Sequence, residues 1–394
     1  MDAGLRNYLI ITGGYWAFTI TDGAIRMLVV LYFHLLGYSP FEVAMLFLFY
    51  ELIGVVTNLV GGWLGARVGL NATMHAGMAL QVAALMMLTV PEPWLSVPYV
   101  MVAQALSGIA KDLNKMSAKA SVKVLVDDGE ASRLFKWVAV LTGSKNALKG
   151  AGYFIGAALL SAVEFRGALM VLAGVLAIVL AATLVSLPGG VGKMSSKPKF
   201  TQVFSNLPAV NWLAGARLFL FAARDVWFVV GLPVYLYAEL GWSFSQVGGY
   251  LALWIIGYGA VQASAPRFLG RGAAPGGTTA LAWVLVLAAV PAGIAVGLQQ
   301  GLDPASVVVL GLIVFGVVFA LNSAVHSYLI LAYSAADRVA MNVGFYYMAN
   351  AAGRLAGTVL SGWAYQLYGL PGCLWISAGL LAAAALLSLF LPRD

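Results

Sequence analysis

Runs of about 20 apolar residues, the length that carries an α-helix across a bilayer, recur along all 394 residues of the chain. Twelve such runs can be read, near 8–36, 40–64, 72–90, 96–124, 133–162, 168–187, 208–238, 246–266, 277–298, 305–333, 339–366 and 372–391. Only 9% of residues are charged. Soluble domains need roughly a quarter to cover their surfaces, so the expected class is an all-α integral membrane protein. A transmembrane β-barrel is excluded because its segments are short and alternating. The connections carry turn residues: GYSP (37–40), PEP (91–93), DDGE (127–130), GLDP (301–304) and GLPG (369–372). One longer polar stretch, PGGVGKMSSKPKF at 188–200, falls at mid-chain. The organisation expected is two six-helix bundles, 1–187 and 207–394, joined by a linker at 188–206. The first apolar run is too long and too polar for a cleaved signal peptide. The single cysteine, Cys373, heads an apolar run and reads as inert packing.

Loop charges set orientation. With the N-terminus on the cytoplasmic side, that face holds Arg6, Arg67, Lys123, Arg133, Lys136, Lys193, Lys197, Lys199, Arg267, Arg271, Arg338 and Arg393, and the opposite face only Arg166. Both termini are therefore expected in the cytoplasm. The net charge of +7 then belongs to a membrane surface and an internal pocket rather than to nucleic acid.

The halves repeat. LGYSPFEVA at 36–44 matches LGWSFSQVG at 240–248, and KNALKGAG at 145–152 matches NAAGRLAG at 350–357. The second match aligns Lys149 with Arg354 and Gly152 with Gly357. Two separate matches at nearly the same offset indicate a parallel six-plus-six repeat, an architecture that places a transport site at the repeat interface near mid-membrane. Over essentially the whole chain this arrangement resembles the major facilitator superfamily, with twelve transmembrane helices in two pseudo-symmetric halves. That family carries Gly-x-x-x-Asp-Arg-x-Gly after the second span. Here GWLGARVG (62–69) keeps Gly62, Arg67 and Gly69, but Ala66 replaces the acid. The interhelical latch credited to that acid is thereby put in question.

The spans contain Asp22, Arg26, Glu51, Lys111, Asp112, Lys115, Lys119, Lys145, Lys149, Arg217, Arg224, Asp225 and Arg354, nine positive and four negative. They fall in spans 1, 2, 4, 5, 7 and 11. Spans 3, 6, 9 and 12 have none, and these are the peripheral helices in the fold that the resemblance implies. Lys111, Lys115 and Lys119 recur every four residues on one side of a helix. Facing lipid they would cost about 8–10 kcal/mol together on insertion scales, comparable to a domain's whole stability. The stripe must instead meet water or an anion.

Asp22 can pair with Arg26 one turn away, and Asp112 with Lys115. Arg224 and Asp225 are adjacent, so pairing across helices is expected for them. Pairing every acid once still leaves five cations. Lys119 and Arg217 are expected to snorkel to an interface. Arg26, Lys111, Lys115, Lys145, Lys149, Arg224 and Arg354, with Asn146, are the expected substrate-binding residues. Asp22, Glu51, Asp112, Asp225 and His326 are the candidates for ion pairing or proton coupling, His326 because it can titrate near neutral pH. Asn58, Asn114, Ser144, Asn322 and Asn350 offer hydrogen bonds either to substrate or between helices. Mixed Arg and Lys suit a small molecule with several oxyanion groups. No catalytic constellation, metal cluster or cofactor motif is present in the sequence. A membrane enzyme acting on lipid headgroups would need one, and the only acidic cluster, DDGE, reads as a solvated turn.

Four stretches, YWAFTITDGAIRMLVVLYFHLLGYSP (15–40), FLFYELIGVVTNLVGGWLGAR (47–67), ALSGIAKDLNKMSAK (105–119) and LTGSKNALKG (141–150), resemble the ArsJ-type organoarsenical efflux permeases of bacteria. The second half fits that group less distinctively. The resemblance implies alternating-access export of 1-arseno-3-phosphoglycerate, which forms when a glyceraldehyde-3-phosphate dehydrogenase uses arsenate. It also implies a functional link to that enzyme, arsenate resistance, a monomer, and residence in the bacterial inner membrane. The alternative within the superfamily is a transporter of another organophosphate or organic anion.

Overall fold

The computed structural model describes residues 3–38, 46, 48–127, 129–194, 198–202, 204–269 and 274–393. Twelve α-helices occur among them: α1 (Ala3–Leu35), α2 (Leu48–Leu52), α3 (Gly54–Val68), α4 (Leu70–Met87), α5 (Val97–Leu125), α6 (Ala131–Ser186), α7 (Pro208–Phe228), α8 (Gly231–Ala238), α9 (Phe244–Leu269), α10 (Gly277–Gln299), α11 (Pro304–Ala332) and α12 (Val339–Ser388). No strand occurs among the described residues.

Helices and membrane crossings do not correspond one to one. At 1.5 Å per residue, the 56 residues of α6 extend about 84 Å, more than twice the bilayer core. The helical track breaks at Val163 and at Glu164, whose φ of 59° lies in the left-handed region that non-glycine residues avoid. Helix α12, 50 residues long, breaks at Gly369 (φ 61°), within the turn expected from GLPG, and Pro371 follows. Each therefore supplies two crossings. Conversely, α2 with α3, and α7 with α8, each make one. The α7–α8 break is local chemistry. Pro233 has no N–H to return to the preceding turn, and the Ser361 hydroxyl accepts from the amides of Val230 and Gly231 instead (3.3 and 3.2 Å). The twelve expected crossings are thus all present.

The chain divides into two compact units. One comprises residues 1–130, 144–204 and 334–348; the other comprises 131–143, 205–333 and 349–394. Each has its own apolar core. In the first, Ile25, Leu28, Phe33, Leu85, Val100 and Leu169 pack together. In the second, Trp227, Phe315, Phe319, Leu287, Leu374 and Leu381 do so. Apolar side chains face outward, most strongly on the charge-free crossing 168–187, where Ile178 is 72% exposed and Val185 90%. In water such faces would aggregate; in lipid they need no cover. Cys373 is buried, as expected, with its thiol directed at the Ser361 carbonyl.

Within the first unit the mid-chain linker is tied to the 62–69 motif. Leu70 N–H donates to the Val191 carbonyl (2.8 Å) and Met194 N–H to the Ala66 carbonyl (2.9 Å). The indole of Trp63 donates to the Pro198 carbonyl (3.0 Å). Asn71 reaches the Pro188 carbonyl (2.8 Å). In the same unit, Gly62 and Gly344 meet backbone to backbone, so a Cβ on Gly62 would lie 2.8 Å from the Ala340 carbonyl oxygen.

Candidate functional site

Charged side chains gather at one cluster in each unit. In the first, α5 supplies the lysine stripe. Eighteen of its residues are buried, Lys111, Asp112 and Lys119 among them, so this helix has almost no lipid face. Lys149 on α6 donates to Asp22 Oδ2 on α1 at 2.9 Å, and the Tyr50 hydroxyl on α2 donates to Asp22 Oδ1. Lys115 reaches Asp112 Oδ1 at 2.7 Å, while Thr57 donates to Asp112 Oδ2 at 2.9 Å. Tyr50 is a hub for cations. Arg26 lies 4.2 Å above its ring centroid, Lys111 3.7 Å and Lys149 5.8 Å. Tyr347 does the same for Lys115 and Lys119, each at 4.8 Å. Ring faces attract cations electrostatically by about 0.5–2 kcal/mol each. They temper the repulsion along the stripe without consuming its charge. Lys145 donates to Asn146 at 3.3 Å, and the Trp16 indole to Ser144 at 2.7 Å.

In the second unit, Asp225 on α7 holds two arginines, Arg224 Nε at 2.6 Å and Arg354 Nε at 3.2 Å. The adjacent Arg224 and Asp225 thus do pair, contrary to expectation. A guanidinium on three methylenes folds back far enough to meet its neighbour's carboxylate, while Asp225 also bonds across to α12. Arg224 lies over the Phe221 ring at 4.7 Å. Arg217 is 3% exposed; it donates to Asn350 (2.9 Å) and Ser323 (3.1 Å) and sits over Phe221 at 4.0 Å.

The expected snorkelling of Arg217 and Lys119 therefore does not occur. Lys119 is buried and bonds to the Tyr347 hydroxyl. Both cations find protein acceptors at depth, which makes reaching an interface unnecessary. His326, expected to face a cavity, is only 1% exposed; its Nδ1 and both amide atoms of Asn322, one helical turn earlier, have no hydrogen-bond partner among the described residues. Asn58 and Asn114 bond to carbonyls of their own helices. The side chain of Glu51 lies outside the described residues. Asp22 engages Lys149 and Tyr50 by hydrogen bond, with Arg26 and Lys111 near enough to act on the same carboxylate. Tyr50 and Tyr347 were missed in the sequence. For Tyr50 the available signal was its place beside Glu51 in FYEL; FYYM, around Tyr347, carries no charge and gave none.

The two clusters repeat one design. A carboxylate on the first helix of each half, Asp22 or Asp225, holds a cation from the matched pair, Lys149 or Arg354. Glycines bring these helices together. A Cβ on Gly152 would lie 2.7 Å from the Ile20 carbonyl oxygen, and one on Gly357 2.6 Å from that of Ala222.

Exposure is unequal within four of these ion pairs. The Asp22, Asp112 and Asp225 side chains are 2%, 2% and 0% exposed, whereas Lys149, Lys115, Arg224 and Arg354 keep 16%, 15%, 17% and 33%. The carboxylates are sealed and the cations face accessible space. Among the described side chains, three carboxylates face nine cations, so positive groups are in excess at these clusters.

This is the fold and polarity of a solute carrier. The sequence matches the family model of the Major Facilitator Superfamily over residues 11–328, and the chain belongs to that family. Its members are transporters, not enzymes. Among solved structures, it is similar to the human organic anion transporter MFSD10 (TETRAN), with TM-score 0.78, 14% identity, and 98% of this chain and 100% of that chain covered. The fucose:proton symporter FucP of E. coli gives TM-score 0.78 at 12% identity, with both chains fully covered. A bacterial homologue of the iron transporter ferroportin gives 0.73 at 15%, covering 99% of each chain. Identities this low speak to the fold alone. Comparison with curated protein sequences found no match.

Proposed function

We propose that this major facilitator transporter exports a small phosphorylated organoarsenical polyanion, 1-arseno-3-phosphoglycerate, and so confers resistance to arsenate. The observation that carries the anionic cargo is the unequal exposure within the ion pairs: accessible lysines and arginines backed by sealed aspartates. Arg26, Lys111, Lys115, Lys145, Asn146, Lys149, Arg224 and Arg354 are the proposed substrate ligands. Asp22, Asp112 and Asp225 set their positions. The arsenical identity rests on the resemblance of residues 15–40, 47–67, 105–119 and 141–150 to organoarsenical permeases. Alternating access would use the repeat halves 1–187 and 207–394, linked by 188–206, in a monomer. The membrane is proposed to be the bacterial inner membrane with both termini cytoplasmic. The substrate would come from a glyceraldehyde-3-phosphate dehydrogenase acting on arsenate.

Energetics favour export. Each elementary charge crossing the membrane is worth about 2.3 kcal/mol per 100 mV, and a polyanion leaving a negative interior is driven outward by several times that. No coupled proton is needed on this account. Everted vesicles loaded with potential but no pH gradient should accumulate the compound; uptake that still requires a pH gradient excludes potential-driven uniport.

A test of the site is arsenate resistance in a sensitive host co-expressing the dehydrogenase. Lys111→Ala should abolish resistance at unchanged membrane abundance, and Lys111→Arg should retain part of it. Full resistance in Lys111→Ala removes that residue from the site. The second reading, export of another organic anion, draws on the same exposed cations and on the likeness to an organic anion transporter. Competition between the arsenical and simple organophosphates separates the two.

A further inference from the structure

We infer that α6 and α9 form a binding wedge for the phosphate-bearing headgroup of an anionic membrane lipid, separate from the transport clusters. The first turns of α6 (131–143) and α9, both in the second compact unit, meet most tightly at Gly143. A Cβ there would fall 2.2 Å from Ala263 N and 2.5 Å from the Gly259 carbonyl oxygen, so only glycine permits the crossing. From that crossing toward the start of α6 and the end of α9, the two helices line a cavity of about 510 Å³. It is lined by Lys136, Val140, Ala263, Ser264, Pro266 and Arg267. Pro266 interrupts the α9 ladder here, and such a residue bends a helix.

The lining is ordered as an amphiphile requires. Lys136 and Arg267 are both exposed, and they stand near the helix ends on the Lys- and Arg-rich membrane face. Ser264 adds a hydroxyl, and no carboxylate lines the space among the described residues. Val140, Ala263 and Pro266 form the apolar part, and Phe268 beside Arg267 is 64% exposed. Arg133 lies over the buried Trp137 ring at 4.4 Å in the first turns of α6, which adds a further cation near this end of the helix. A guanidinium and an ammonium flanking one opening match a phosphate oxyanion, and basic pockets between helices at this depth suit anionic headgroups. None of the lining residues belongs to the Asp22 or Asp225 clusters. A phosphate monoester in water presents the same oxyanion but has no acyl chain for the apolar wall.

Native mass spectrometry on the purified full-length protein tests this, with phosphatidylglycerol, phosphatidylcholine and inorganic phosphate as separate probes. Phosphatidylglycerol should be retained several-fold better than phosphatidylcholine. That preference should vanish in the double variant Lys136→Gln/Arg267→Gln and persist in Lys136→Arg/Arg267→Lys. Val140→Trp, which fills the wedge while keeping both charges, should also abolish it. Lys193→Gln/Lys199→Gln should leave it unchanged. A preference that survives the charge-removing variant, or inorganic phosphate displacing the lipid fully at millimolar concentration, overturns the inference.

Discussion

Lys149 and Asp22, 127 residues apart in sequence, meet at 2.9 Å with the lysine partly accessible and the carboxylate sealed. The same relation recurs between Arg354 and Asp225 in the second half. A transporter that must attract an anion and then release it needs positive groups held in place but not neutralised. A covered carboxylate behind an accessible cation does this. It fixes the side chain and offsets part of its burial cost, and it leaves the accessible side positive.

Removing one partner strands the other. Lys149→Ala leaves Asp22 buried without its lysine, held by the Tyr50 hydroxyl and by the nearby charges of Arg26 and Lys111. Breaking a buried pair costs about 3–5 kcal/mol; because Lys149 is partly accessible, the loss is expected at or below the lower end. Thermal unfolding in detergent should show a clear drop for Lys149→Ala and recovery in Lys149→Ala/Asp22→Asn, with transport lost in both.

One carboxylate serves two arginines in the second unit. Asp225→Asn should therefore destabilise more than Arg224→Ala or Arg354→Ala, because it leaves two close guanidinium groups without their shared counterion. The same thermal assay ranks the three; equal losses would show that Asp225 is not the joint.

Tyr50 combines a hydroxyl bond to Asp22 with a ring beneath cations. Tyr50→Phe removes a hydrogen bond to a charged acceptor, worth about 1.5–3 kcal/mol, and keeps the ring. Tyr50→Leu removes both. Stability should fall in both variants, while substrate affinity, read by competition, should fall much further in Tyr50→Leu.

The linker's hold on the 62–69 motif is open to proteolysis. Trp63 bonds the Pro198 carbonyl and stacks edge-on against Phe200 at 5.8 Å. Trp63→Ala should speed tryptic cleavage at Lys193 and Lys199, both exposed, with no change at sites elsewhere.

Asp303 caps α11, accepting from Ser306 N–H at 2.9 Å. The Ser306 side chain and amide hold its carboxyl below the usual value of 3.8. A depressed pKa means that the cap's contribution is complete above that value and is lost as pH falls through the lower, folded-state pKa. Hydrogen exchange at Ser306 should therefore quicken relative to neighbouring amides under strong acid. Asp303→Ala should show the faster exchange at neutral pH, and Asp303→Asn, which still accepts, should not.

The sequence by itself determined the architecture. Apolar runs long enough to span, turns at GLPG and GLDP, and repeats that align Lys149 with Arg354 and Gly152 with Gly357 are local or periodic signals. The cost of bare charge in lipid is large enough to make each of them decisive. It also determined that cations exceed acids within the spans, since that is arithmetic. Only the tertiary structure decided which groups meet. That Lys149 from a distant helix bonds Asp22, that Arg224 folds back onto Asp225, that Tyr50 and Tyr347 gather the cations, and that Lys119 and Arg217 stay at depth all depend on contacts between distant segments and on rotamers several bonds long. Long flexible side chains choose among partners by fractions of the energy that sets the spans, and neither spacing nor composition encodes that choice.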